Sequence, residues 1–257
     1  MEFTFYKYHG TGNDFVLIDN RENQFPKNDT HLISQICHRR FGVGADGLIL
    51  LENHPSSDFQ MVYFNSDGNV SSMCGNGGRC IVHFARFMGV MSDKATFMAV
   101  DGIHEATIDN NRISLKMANV GEVKVTDKYV FLNTGSPHHI EIVKGLEDYD
   151  VFSTGRDIRN RIYGAEGANV NFVEQKEKAI FSVRTYERGV EDETLSCGTG
   201  VTAVALAMFE TKRTFQNKVI LETPGGQLQV SFEKGGKGYK NIYLQGPATQ
   251  VFKGIWK

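Results

Sequence analysis

Aromatic and polar side chains alternate over residues 2–8, which reads as a strand. His9-Gly10-Thr11-Gly12-Asn13-Asp14 then reads as a tight polar loop, and Phe15–Ile18 as a short buried strand. Asp29 is placed to cap a helix through about Arg40, with Leu32, Ile33, Ile36 and Cys37 on one face. A glycine-rich loop, Phe41–Gly47, leads into the strand Leu48–Leu51. The strand Met61–Phe64 follows, then a polar loop ending in Met73-Cys74-Gly75-Asn76-Gly77-Gly78 and a helical pattern running to about Met88. Three strands follow as a meander, Ala95–Val100, Ile103–Ile108 and Ile113–Met117, with turns at Asp101-Gly102 and Asn110-Asn111.

The second half opens near Ala118. A strand through Phe131 and Leu132 ends in the polar turn Asn133–His139, and Arg156–Arg161 reads as a short helix or turn. Asn169–Val173 and Ile180–Tyr186 read as strands, and Glu191–Ser196 as an acidic loop. Cys197-Gly198-Thr199-Gly200 starts a helix, followed by strands at Lys218–Glu222, Leu228–Phe232 and Asn241–Leu244. The last three are joined by a turn at Pro224–Gly226 and a loop at Gly235–Gly238. Both halves thus read strand, polar loop, cysteine at a helix start, helix, three-stranded meander. Cys74 and Cys197 lie 123 residues apart (197 − 74), close to half of the 257-residue chain. This is the pattern of an internal duplication, with halves at 1–117 and 118–247.

Composition narrows the function classes. A formal net charge of −2 argues against a binder of nucleic acid, which carries a basic excess. The N-terminus lacks a secretory leader and no apolar run reaches membrane-spanning length, so a cytoplasmic protein is expected. None of the four cysteines forms a C-x-x-C pair, which removes zinc-ribbon and thioredoxin readings; no metal is expected.

Cys37 and Cys80 fall within amphipathic helices and read as small buried hydrophobes. Cys74 and Cys197 sit instead in polar, glycine-rich loops at helix starts, where backbone N–H groups and the positive end of the helix dipole favour an anion. Lowering a thiol pKa from ~8.5 by about two units stabilises its thiolate by roughly 2.7 kcal/mol. Two such thiols in similar halves suit the two faces of one carbon: a thiolate removes a proton and a thiol returns one opposite. That is racemase or epimerase chemistry without a cofactor. Gly198-Thr199-Gly200-Val201-Thr202-Ala203 also fits a dinucleotide-binding pattern, but an acidic loop precedes it where a buried strand is required. Glu187-Arg188, at a strand end, reads either as a surface pair or as a clamp on an amino acid, with Arg on the carboxylate and Glu on the ammonium. His138 reads, by spacing alone, as a satisfied turn histidine.

With these residues assembled, the chain resembles the diaminopimelate epimerases nearly end to end. The marks are His9-Gly10-x-Gly12-Asn13-Asp14-Phe15, Gly42–Gly47, Phe64-Asn65-x-Asp67-Gly68, Met73–Cys80, Tyr186-Glu187-Arg188-Gly189 and Glu193-Thr194-Leu195-x-Cys197-Gly198-Thr199-Gly200. The resemblance implies conversion of LL-2,6-diaminopimelate to the meso form, for lysine and peptidoglycan precursor synthesis, without pyridoxal phosphate. It implies Cys74 and Cys197 as the acid/base thiols, with His138 and Glu187 tuning them. Gly75-Asn76 and Gly198-Thr199 would hold the carboxylate of the reacting centre; Asn13, Asn65, Asn169, Glu187 and Arg188 would read the rest of the substrate. The implied fold is of the α/β (α+β) type: two pseudo-symmetric halves, each a curved, mostly antiparallel sheet wrapped around a central helix. The last strand, 248–257, would return to the first half, the active site would lie between the halves, and a homodimer is expected. Ser136 and Gly47 depart from the Asn and Gln that many members carry at those positions. Proline racemases typically have His after Cys-Gly where Asn76 stands here, and phenazine-type isomerases lack the paired thiols. A redox-sensing thiol pair is the non-enzymatic alternative.

Overall fold

The computed structural model describes every residue except Met1, Ser72 and Lys237. The chain divides into two compact units: one runs to Leu115 and resumes at Gly246–Lys257, and the other is Lys116–Gln245. These limits fall two residues before those expected from the sequence.

The first unit contains β1 (Phe3–Gly10), β2 (Asn13–Asp19), α1 (Thr30–Cys37), β3 (Gly47–Glu52), β4 (Phe59–Asn65), α2 (Gly75–Phe87), β5 (Lys94–Ala99), β6 (Gly102–Asp109) and most of β7 (Arg112–Lys116). Its strands pair in the order antiparallel (β1–β2), parallel (β2–β3), antiparallel (β3–β4), parallel (β4–β5), then antiparallel twice (β5–β6, β6–β7). The last strand of the chain, Thr249–Trp256, pairs antiparallel with β1. The continuous apolar runs of β2 and β3 follow from having a helix on each face. Val16, Ile18, Leu48 and Leu50 pack against Ile33 and Ile36 of α1. On the other face, Phe15, Ile49 and Met61 meet α2 at Gly77. α2 is amphipathic, and Ile81, Val82, Phe84 and Ala85 are fully buried.

The second unit contains β8 (Val123–Val125), β9 (Val130–Asn133), β10 (Pro137–Ile142), a 3₁₀ turn (Leu146–Asp148), α2's counterpart and its flanking elements. These are α3 (Val151–Tyr163), β11 (Asn169–Glu177), β12 (Ile180–Glu187), β13 (Asp192–Thr194), α4 (Gly198–Glu210), β14 (Lys218–Thr223), β15 (Gly226–Gly235) and most of β16 (Gly238–Pro247). From β9 onward the pairing runs antiparallel, parallel (β10–β11), antiparallel (β11–β12), parallel (β12–β14), then antiparallel twice. The sequence of senses is the same as in the first unit. α1 and α3 each follow the second strand of the series, and α2 and α4 the fourth. Even β8 on β9 has a counterpart, β17 (Thr249–Trp256) on β1. The duplication read in the two cysteine loops therefore extends to the whole topology of each unit. Residues 198 and 200–208 of α4 are all buried, and Val201, Val204, Leu206 and Met208 pack against Val173, Phe181, Val183, Leu221 and Val230. Full burial of each such side chain contributes roughly 1.5–3 kcal/mol.

Several local expectations are corrected. α1 ends at Cys37 rather than near Arg40, because His38 turns extended and the chain folds back. The Ile36 and Cys37 carbonyls then accept from Val43, Gly44 and Ala45 N–H groups instead of continuing the helix. The polar loop at 9–14 is a hairpin with a two-residue turn: Gly10 pairs with Asn13, and Thr11 (φ 51°) and Gly12 (φ 88°) both take the left-handed conformation that matches strand twist. The short element at Arg156–Arg161 is part of a 13-residue helix whose first turn is capped by Asp150, which accepts from Ser153 N–H. Part of the acidic loop, Asp192–Thr194, is a short strand on β12. The turn expected at Asp101-Gly102 is Val100-Asp101, since Gly102 already pairs with Ala99. In the loop expected at Gly235–Gly238 both end glycines belong to strands, and Lys237 lies outside the described residues.

Candidate active site

In the first unit, Cys74 is the N-cap of α2, extended, with no cap bond from its side chain. The helix itself offers no acceptor to the N–H groups of Gly75, Asn76 and Gly77; its first internal bond is Gly78 N–H to the Cys74 carbonyl, at 2.7 Å. The Cys74 thiol donates to Asn13 Oδ1 (3.5 Å), and Asn76 Nδ2 donates to the same oxygen (3.2 Å). Asn13 opens β2 just after the tight turn, which aims its side chain at the start of α2. Its amide is oriented from the far side by Asp46, whose carboxylate accepts from Asn13 Nδ2 at 2.6 Å. Asp46 belongs to a larger network: Arg39 bridges Asp46 and Asp14, and Lys7 pairs with Asp14. Burial raises the Asp14 pKa, but Arg39 and Lys7 outweigh it and hold the carboxyl at about 2. Beneath the helix start, Arg79 is wholly buried and donates to Asn76 Oδ1, Thr11 Oγ1 and the Gly75 and Pro247 carbonyls. Burial lowers its pKa to about 10. Asn65 closes β4 opposite Gly47, with its side chain exposed. A Cβ at Gly47 would stand 2.4 Å from the Phe64 carbonyl oxygen, so a larger residue would require β4 to move.

In the second unit, Cys197 is the N-cap of α4 in nearly the same conformation as Cys74, φ −119° and ψ 112° against −115° and 122°. Its sulfur lies 3.5 Å from Thr199 Oγ1, and that hydroxyl lies 3.0 Å from His138 Nε2. Thr134 Oγ1 holds the Thr199 carbonyl at 2.9 Å. His138 is not in a turn but on β10, fully buried; burial, then the nearby Arg188 charge, lowers its pKa to about 3, so it is neutral. Asn169 opens β11 beside it. Asn169 Oδ1 accepts from Arg188 N–H at 2.9 Å, and its Nδ2 donates to Ser136 Oγ at 3.0 Å. The Arg188 guanidinium is exposed, with contacts to the Glu166 carbonyl and Ser136 Oγ. Ser136 is thus part of this polar cluster. Glu187 ends β12 and accepts from Thr194 Oγ1 at 2.9 Å.

The first unit therefore gathers Asn13, Cys74, Gly75 and Asn76, with Asn65 at a neighbouring strand end. The second gathers Cys197, Gly198, Thr199, His138, Asn169 and Arg188, with Glu187 held by Thr194. Three polar residues that sequence reasoning passed over support them: Asp46, Arg79 and Asn171. Arg79 stood inside the glycine-rich motif, and Asn171 interrupts an apolar strand between Val170 and Phe172; a buried polar residue at such a position is a usable signal. Cys37 and Cys80 are buried free thiols, and burial pushes Cys37 up to about 12 and Cys80 further. Neither is suited to acid/base work near neutral pH.

This fold is shared with solved structures of low sequence similarity. A Bacillus anthracis phenazine biosynthesis protein of the PhzF family matches all of this chain and 99% of its own, with TM-score 0.80 at 15% identity. A hydroxyproline epimerase from Agrobacterium vitis matches 99% of this chain and 92% of its own, with TM-score 0.71 at 12% identity. At these identities the likeness concerns the fold. Sequence goes further: the family model for diaminopimelate epimerase matches residues 5–125 and 130–251. A diaminopimelate epimerase of Flavobacterium psychrophilum is 57% identical over 250 residues, 96% of this chain and 98% of that protein. Those of Chlorobaculum tepidum and Aquifex aeolicus are 41% and 37% identical, over 95% and 97% of this chain and 98% and 96% of theirs. The chain belongs to the diaminopimelate epimerase family.

Proposed function

We propose that the protein is an isomerase that converts LL-2,6-diaminopimelate to the meso form by a two-thiol, cofactor-independent reaction, serving lysine and peptidoglycan precursor synthesis. The observation that carries the chemistry is the pair of equivalent N-cap cysteines, each with a polar partner at its sulfur. In the proposed reaction one thiolate takes the α-hydrogen as a proton, leaving an electron pair delocalised into the carboxylate. The other thiol delivers its proton to the opposite face and becomes the thiolate. The N–H groups of Gly75-Asn76 and Gly198-Thr199 stabilise the charge that grows on the carboxylate. Asn13, Asn65, Asn169, Glu187 and Arg188 recognise the remaining amino and carboxylate groups. Such chemistry needs reduced thiols, which supports a cytoplasmic setting; no helix among the described residues is long and apolar enough to cross a membrane. The homodimer rests on the family resemblance and is checked by sedimentation velocity.

The test is turnover by Cys74→Ala and Cys197→Ala. Each should lower epimerisation by at least about 10² with the fold retained, the scale of losing a positioned acid or base. Near-normal turnover in either variant would remove that thiol from the mechanism. Proline, offered in parallel, should not react.

A further inference from the structure

We propose that Asn171 is a positioning residue that fixes the tautomer of His138 and so turns a hydrogen-bond donor toward the Cys197 sulfur. The role of the donor rests on the reading of Cys197 as a reacting thiol; the tautomer itself does not.

Asn171 lies on β11, fully buried, and its amide orientation is over-determined. Nδ2 faces the His139 carbonyl at 3.0 Å, and a carbonyl only accepts. Oδ1 accepts from Thr185 Oγ1 at 3.0 Å. With the amide so fixed, its second N–H points at His138 Nδ1, 3.2 Å away. Nδ1 must then be the accepting nitrogen. A neutral imidazole carries one proton, so that proton is on Nε2. Nε2 donates to Thr199 Oγ1 at 3.0 Å. Asn169 Nδ2 stands 3.5 Å from the same nitrogen, but it has Ser136 Oγ at 3.0 Å and the Pro137 carbonyl at 3.4 Å to donate to. With its oxygen accepting from histidine, Thr199 is free to turn its hydroxyl hydrogen toward Cys197 Sγ, 3.5 Å away. A donor at sulfur favours the thiolate over the thiol.

The first unit has the opposite polarity. There Asp46 holds Asn13 with its oxygen toward Cys74, so the sulfur faces an acceptor and the thiol form is favoured. The two half-sites are thus wired unequally.

The test is imidazole nitrogen NMR on the reduced full-length protein without substrate, with His138→Gln used to assign the His138 signals. The wild type should show His138 neutral and protonated at Nε2. Asn171→Asp, which only accepts, should move the proton to Nδ1 or give the imidazolium. Asn171→Ala, a milder change should the carboxylate not fold, should leave a mixture of tautomers. Both variants should lose about 10² in kcat with KM changed less than about threefold, the scale of an impaired acid/base relay. A wild-type His138 protonated at Nδ1 overturns the inference, as does an unchanged tautomer in a folded Asn171→Asp or Asn171→Ala protein. Because the spectrum needs no diaminopimelate, this outcome is independent of whether the protein turns that substrate over.

Discussion

Gly77 and Gly200 are equivalent positions, each three residues after its cysteine, yet the structure predicts different costs for replacing them with alanine. At Gly200 a Cβ would stand 2.6 Å from Asn171 Oδ1, 3.2 Å from Cys197 Cβ and 3.3 Å from Cys197 Sγ. Asn171 cannot yield, because its amide bonds to His138, His139 and Thr185 hold it. Overpacking of this kind costs about 1–3 kcal/mol. One strained or broken hydrogen bond adds about 1 kcal/mol, and the helix preference of Ala over Gly returns about 1 kcal/mol. The net is a loss of about 1–3 kcal/mol. At Gly77 the nearest atoms are Ile49 Cδ1 at 3.0 Å and Met61 Cε at 3.2 Å, both ends of flexible side chains. They give by a few tenths of an ångström, and the helix preference cancels the cost, leaving Gly77→Ala within about 0.5 kcal/mol of the wild type. Urea denaturation followed by far-UV circular dichroism measures both. Gly200→Ala should lower the midpoint, and Gly77→Ala should leave it nearly unchanged. Equal costs at the two positions, or a neutral Gly200→Ala, would refute the close approach of α4 to Asn171.

Three further outcomes follow from the polar networks. Asp46→Ala releases the Asn13 amide facing Cys74 and should lower kcat by about 10- to 100-fold, read by epimerisation assay, in line with the cost of misplacing a site group by about 1 Å. Asp14→Asn should lose stability at pH 7. The folded pKa of about 2 lies below the unfolded ~3.9, so this contribution is present above pH ~4 and lost as pH falls toward 2. After allowing for partial exposure it is worth at least about 1 kcal/mol, and the gap between variant and wild type in chemical denaturation should close over that window. Arg79→Lys keeps the charge but cannot reach four acceptors from one nitrogen, and should cost about 2–3 kcal/mol in the same assay.

The parts legible in the sequence were those with local causes. Alternation marked β1, continuous apolar runs marked β2 and β3, and Asp-Gly and Asn-Asn marked the meander. The echo of Cys74 in Cys197 announced the duplication. What stayed hidden depended on distant partners. Only Arg156–Arg161 of α3 is legible locally; Gly155 lies inside the helix, where a Cβ would stand 2.4 Å from Tyr186 Cβ. His138 reads as a turn residue because its strand, β10, opens with Pro137 and is defined by its pairing with β9 and β11 rather than by a local pattern. Asp46 and Asn171 act on the site through Asn13 and His138, residues 33 positions away in each case, so no local window could connect them.

The central claim is that two thiols exchange and invert the α-hydrogen of diaminopimelate. The most direct measurement incubates LL-diaminopimelate with the reduced protein in D2O, with no pyridoxal phosphate or metal added, and follows deuterium in both isomers by mass spectrometry and NMR. Early in the reaction deuterium should appear at the inverted centre of the meso product while recovered LL substrate stays largely protiated, because the acid that delivers the proton is not the base that removed it. Absence of exchange by the folded, reduced protein, or equal early labelling of substrate and product, would contradict it.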